Sequence, residues 1–187
     1  MPFILEGIVT TANHDGTPHI APMGPTVDGR MERLTLRPFQ SSTTYGNLKR
    51  SSEGVFHIID DVLLLAQAAI GKLHPSPEMI SCDAVSAPII AAACRWYAFR
   101  IESTCTEGPR AEMRAMVVAS GRTRDFLGFN RGKHAVVEAA ILATRVGILP
   151  HNQILAELPR LEELVVKTGG PQEQRAFDLL HQYITDC

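Results

Sequence analysis

Arg37-Pro38-Phe39-Gln40-Ser41-Ser42-Thr43-Thr44-Tyr45-Gly46-Asn47-Leu48 is where a β pattern hands over to a helical one. Just upstream, Arg33-Leu34-Thr35-Leu36-Arg37 alternates polar and apolar residues, the period of a half-buried strand. Ser and Thr then crowd the turn, and both cap helix starts well, so a short helix is predicted over Thr43–Ser51. Its four preceding and opening hydroxyls lie where free backbone N–H groups point outward, a natural phosphate site. Arg37 can add a bidentate charged contact. Simple capping of a surface helix explains the same residues, and both readings stay open here. Gly46, inside the predicted helix, costs about 1 kcal/mol relative to Ala. It either ends the helix early or admits a ligand or a partner chain.

Outward from this stretch the chain reads as strands and turns as far as about residue 124, and as helices from 125 to 187. Ile4–Ala12 and Thr17–Pro25 form a predicted hairpin around Asp15-Gly16, with a second Asp-Gly at Asp28-Gly29. With Arg33–Arg37 they make an antiparallel meander. Gly54–Ile59 is a further strand and Asp61–Ile70 a predicted helix. His74–Pro88, with three prolines, is predicted to be loop. Arg95–Thr106 and Ala111–Ser120 form a long hairpin turning at Gly108-Pro109. Helices are predicted at Gly132–Val146, at Asn152–Lys167 after an Asn152 cap, and at Pro171–Ile184. Pro159 is expected to kink the second of these or to split off its first turn.

The totals narrow the function. The 187 residues carry a formal net charge of −2, which gives no footprint for nucleic acid. No stretch approaches a membrane span, and the first residues look like a strand rather than a secretory signal. The expected setting is the cytoplasm. Cys82, Cys94, Cys105 and Cys187 are too irregularly spaced for a disulfide framework or a zinc site, and no metal is expected. His14 and His19 flank the first hairpin without a second ligand nearby, and His57 reads as a packed strand residue. No P-loop, Gly-x-Ser-x-Gly, His-Glu-x-x-His or Gly-x-Gly-x-x-Gly occurs, so the hydrolase, NTPase, zincin and Rossmann classes lack motif support.

Thr44-x-x-Asn47-Leu48 after a Ser-rich turn resembles the phosphate-binding segment of the FMN-binding split-barrel proteins, the group of flavin reductases and pyridoxamine phosphate oxidases. Asp15-Gly16-Thr17-Pro18-His19-Ile20-Ala21-Pro22-Met23-Gly24 is similar to the strand these families lay beside the flavin ring. Asp60-Asp61, Gly128-Phe129-Asn130-Arg131-Gly132-Lys133 and His134–Ala139 resemble one branch with a helical C-terminal extension. The resemblance implies a mainly β plus α chain: an antiparallel split β-barrel of about six strands over 1–124, then a bundle of about three helices over 125–187. It implies FMN as cofactor and a homodimer. Ser42, Thr43, Thr44 and Asn47 match the phosphate turn, with Arg37 a weaker match. Pro22, Met23 and Gly24 match the strand beside the ring, and His19 is a cofactor-binding candidate because its strand passes the expected flavin.

Asn130-Arg131-Gly132-Lys133 is a second anion candidate, with Arg131 and Lys133 expected to reach the FMN phosphate or to hold an anionic substrate. Asn130 can cap a helix, Gly132 can let a ligand approach the backbone, and Arg131 and Lys133 add positive charge. A capped helix with solvated cations is the plain alternative. His134 and Glu138, four apart, are an acid–base pair or an ordinary surface pair. No catalytic constellation stands out. The function expected from the resemblance is a flavoprotein, an FMN-dependent oxidoreductase or flavin-reductase-like protein acting on a small molecule. The rival readings are an FMN carrier or sensor without turnover, and a flavin-free dimeric scaffold.

Overall fold

The computed structural model describes residues 3–187. The chain falls into two compact units, residues 1–59 with 77–125, and residues 60–76 with 126–187. The sequence reading divides the chain once, at 124/125. In the fold, 60–76 groups with the C-terminal helices.

Among the described residues, the first unit holds β1 (Phe3–Ile4), β2 (Gly7–Ala12), β3 (Pro18–Met23), β4 (Thr26–Val27), β5 (Arg33–Leu36), α1 (Thr43–Ser51), β6 (Glu53–Ile58), β7 (Met79–Ile80), β8 (Ile89–Ile90), β9 (Arg95–Cys105) and β10 (Glu112–Arg122). Eight of these strands form one antiparallel sheet in the order β1-β4-β5-β10-β9-β6-β2-β3. The count exceeds six because Ile4–Ala12 breaks into two strands and Thr26–Val27, just beyond the predicted return strand, adds another. Gly7 faces Met23 across the inner part, and Phe3 faces Val27 across the outer part. The inner part joins β6 and the outer part joins β5. The two ends of the sheet order are therefore pieces of one bent hairpin, and this is what curls the sheet into a split barrel.

Alternation along the strands assigns the faces. Phe56, Tyr97 and Phe99 point into a core with Val9, Leu34, Leu36, Leu48 and Met113. Their neighbours Val55 and Ala98 point the other way, against Val85, Ala87 and Ile89. The segment predicted to be plain loop thus covers the outer face of β6 and β9, and Met79–Ile80 pairs with Ile89–Ile90 within it. With both faces covered, Val55 and Phe56 are each fully buried, which is why the 54–58 run lacks alternation.

The second unit is helical, with α2 (Val62–Ala69), α3 (Arg131–Ala143), α4 (His151–Thr168) and α5 (Pro171–Thr185). Two expectations change here. Asn152 does not cap α4. Pro150 stands at the cap, its carbonyl receives Gln153 N–H at 3.0 Å, and Asn152 is already helical. Pro159 neither ends nor divides α4, which runs as one element past this exposed position.

Candidate functional site

The Ser/Thr turn and α1 form as the capping chemistry requires. Ser42 is the N-cap, and its Oγ accepts the Tyr45 N–H at 3.2 Å while donating to the Phe39 carbonyl at 2.7 Å. The Gly46 N–H goes to the Ser42 carbonyl. Thr43 and Thr44 are the first two helical residues, whose N–H groups have no acceptor inside a helix. Thr43 is exposed and Thr44 is buried. Gly46 does not end the helix, and a Cβ built on it would meet nothing within 4 Å, so this face of α1 is open.

Strand β3 meets this turn through His19. Its Nε2 lies 3.1 Å from Thr44 Oγ1. Burial holds the imidazole below its ordinary pKa. The neutral ring can donate to the hydroxyl or accept from it, according to its tautomer. Pro22 and Met23 continue the same strand and are half-buried, and Met23 packs on the barrel core. Gly24 follows it, and a Cβ there would lie 2.8 Å from the Glu6 carboxylate and 2.9 Å from Ile4. The absent side chain serves the bend that turns β3 into β4.

Asn47 has a different role from the three hydroxyl residues. It is buried, and its amide donates to Thr11 Oγ1 at 3.0 Å and to Asn13 Oδ1 at 2.9 Å. Its own oxygen accepts from Arg50 at 3.2 Å, and Arg50 also donates to the Ala12 carbonyl. Both amide hydrogens are committed within the chain. Asn47 therefore fastens α1 to the β2–β3 hairpin. Thr11, Asn13 and Arg50 were not singled out in the sequence, since only the docking of α1 on that hairpin brings them to Asn47. Arg37 is exposed and ion-paired with Glu112 at 2.9 Å, and this contact, with Arg114, holds the Glu112 carboxyl below its ordinary pKa.

The second anion candidate lies in the helical unit. Asn130 does cap α3, accepting Lys133 N–H at 3.0 Å, and its amide donates to the Thr168 carbonyl at 2.8 Å. Gly132 has another purpose than the one its position suggested. A Cβ there would stand 2.9 Å from the Gly169 backbone, so the missing side chain lets the start of α3 approach the end of α4. Lys133 is also engaged: Nζ donates to the Asp60 carbonyl and pairs with Glu173 at 3.2 Å. Glu173 in turn accepts the Gly170 N–H at 2.8 Å. Burial works against its charged form, but the Gly170 and Lys133 contacts outweigh that and lower its pKa. Arg131, His134 and Glu138 are exposed, and His134 meets Phe129 edge-on at 5.8 Å. Among the described residues, no group of three or more His, Cys, Asp or Glu is placed to hold a metal, and no helix is long and apolar enough to cross a membrane.

The curled sheet, with α1 opening beside β3 and a separate helical unit, is the architecture of the FMN-binding split-barrel proteins. Within that class, the chain belongs to the family described as "Protein of unknown function (DUF447)": the N-terminal domain of that family matches residues 5–124 and its second part matches residues 130–182. An FMN-bound protein of the same family from Methanosarcina mazei shares the fold with a TM-score of 0.84 and 24% identity, over 98% of this chain and 96% of that one. An FMN-binding protein from Thermus thermophilus, crystallised with 1-cyclohex-2-enone, is similar with a TM-score of 0.54 and 13% identity, over 66% of this chain and 72% of that one. The NADH:FAD oxidoreductase SgcE6 of Streptomyces globisporus is similar with a TM-score of 0.53 and 13% identity, over 65% and 72%. No curated protein matches the chain.

Proposed function

We propose that this chain is an FMN-binding flavoprotein, a flavin-reductase-like oxidoreductase that works on a small molecule as a homodimer. One observation carries the reading. The hydroxyl-bearing start of α1 meets β3 through His19 and Thr44, in a chain sharing its fold over 98% of its length with an FMN-bound family member.

The residues present fit a flavin phosphate. Thr43 and Thr44 supply amides at the positive end of a helix together with their hydroxyls, while Ser42, whose one hydroxyl hydrogen goes to the Phe39 carbonyl, shapes the turn. The open face at Gly46 leaves room beside them. FMN, when bound, supplies the electron-transfer chemistry itself. The chain's part is to grip the phosphate, lay the ring along His19, Pro22, Met23 and Gly24, and exclude water from it. His19 sets the direction of the Thr44 hydroxyl. Arg37 at the end of β5 is an exposed guanidinium whose pairing with Glu112 offsets its charge, and Arg131 is an exposed cation open to an anionic substrate. We assign Asn47 and Lys133 to bracing, since their polar atoms are already engaged.

The test is spectroscopic. Protein titrated with FMN develops perturbed visible flavin bands, and NADH or NADPH added without oxygen bleaches them. Thr44→Val weakens FMN binding by about tenfold, as expected for one lost hydrogen bond to a charged group. If excess FMN leaves the flavin spectrum unchanged from free cofactor, the assignment is wrong. Binding without bleaching by either nicotinamide would remove the reductase part alone.

A further inference from the structure

The turn that precedes α1 is fastened to the far tip of the β9–β10 hairpin, and one side chain, Gln40, makes two of the contacts. Gln40 Nε2 donates to two carbonyls of the tip, Thr106 at 3.1 Å and Gly108 at 2.5 Å. Its own backbone N–H donates to the Pro109 carbonyl at 3.1 Å. The Ala111 N–H reaches the Pro38 carbonyl at 3.0 Å, and the Arg110 guanidinium lies 4.0 Å from the centre of the Phe39 ring. Gly108 has φ +117°, a conformation that L side chains rarely adopt.

These contacts lie on the surface, where hydrogen bonds add little to stability because water replaces them readily. Their effect is on freedom. They fix residues 38–40, and the Phe39 carbonyl so placed receives both the N–H and the hydroxyl of Ser42. Ser42 in turn caps α1 and orders Thr43 and Thr44.

We propose that Gln40 is a positioning residue for anion binding: through the hairpin tip it holds the Ser42–Thr44 turn in the geometry that receives the flavin phosphate, without touching the cofactor. The inference rests on the FMN reading above. Preorganising a binding loop raises affinity by removing the cost of ordering it when the ligand arrives.

The experiment compares FMN with riboflavin, which is FMN without its phosphate, on the full chain. Dissociation constants are measured for both flavins with the native chain, Gln40→Ala, Gln40→Glu and Gln40→Lys. Gln40→Ala should weaken FMN by about tenfold and riboflavin by less than about twofold. Gln40→Glu keeps the size but places an oxygen against two carbonyl oxygens, so it should lose at least as much. Gln40→Lys restores a donor and should recover most of the FMN affinity. A general loss of folded protein weakens both flavins alike, and Gln40→Ala leaves the charge unchanged, so its FMN-to-riboflavin ratio reports positioning. A ratio in Gln40→Ala equal to that of the native chain overturns the proposal. Native protein that binds neither flavin refutes the FMN reading itself, a result distinct from native binding with an unmoved ratio.

Discussion

His57 shows how one buried residue ties distant segments together. Its Nδ1 donates to the Ile8 carbonyl at 3.2 Å, and its Nε2 accepts the Ile90 N–H at 3.1 Å. Only the neutral ring, protonated on Nδ1, makes both bonds. A second proton would face the Ile90 N–H. Burial pushes the pKa from 6.5 to about 4, with the Ile8 carbonyl pulling weakly the other way. The folded pKa is depressed, so the unfolded chain takes up this proton first as pH falls. The stabilisation is complete above pH 6.5 and is lost as pH drops toward 4, roughly 3 kcal/mol in all. His57→Gln cannot titrate. Urea unfolding of both proteins between pH 7 and pH 4 should show a shallower loss in the variant. Equal slopes would mean that His57 is not the titrating group. The pattern Phe56-His57-Ile58 suggested a packed strand residue, but its two partners, 49 and 33 residues away, were not legible from it.

At the scale of elements, α1 is where local and tertiary instructions separate. Its bounds, Thr43 to Ser51, agree with the prediction because capping by Ser42 is decided by neighbouring residues. Its docking is decided elsewhere, by the buried amide of Asn47 between Thr11 and Asn13. Asn47→Leu preserves volume but removes both donors. It should cost about 1–3 kcal/mol of stability, the usual penalty for stranding buried polar partners. Chemical denaturation measures this, and an unchanged midpoint would show that water satisfies the two oxygens. The α4 start differed from expectation for a related reason. Pro150 occupies the cap and its carbonyl takes the first bonds, so the better capping side chain of Asn152 falls inside the helix.

For the whole molecule, the FMN reading has a thermodynamic consequence that does not depend on turnover. A ligand that binds only the folded state stabilises it by mass action, by about 2.7 kcal/mol at a hundred times its dissociation constant. Thermal unfolding of the full chain followed against rising FMN should give a midpoint that climbs with the logarithm of concentration. Riboflavin should raise it less, because the α1 hydroxyls and amides then have no phosphate to hold. A midpoint indifferent to both flavins would contradict binding to the native fold. Residues 60–76 belong to the helical unit although they stand between strands in the chain, so this unit is assembled from two separated segments.

The sequence by itself determined the order of the six main strands and the five helices, the Ser/Thr-capped start of α1, the turns at Asp15-Gly16 and Gly108-Pro109, and the split-barrel class. Each of these rests on periodicity, on turn and cap chemistry within a few residues, or on short motifs in a recognisable order. Only the tertiary structure decided which polar residues are available. Ser42, Asn47 and Lys133 look alike in sequence to Thr43 and Arg131 as anion ligands, yet the fold engages the donors of the first three internally. Gly132 resembles a ligand-approach glycine, yet it receives the Gly169 backbone. Gln40 carries no signal of its role in the sequence, because its partners Thr106 and Gly108 come near only when the long hairpin folds back over the turn. A hydrogen-bonding group has a limited number of donors and acceptors, and partners far along the chain settle whether any remain for a ligand.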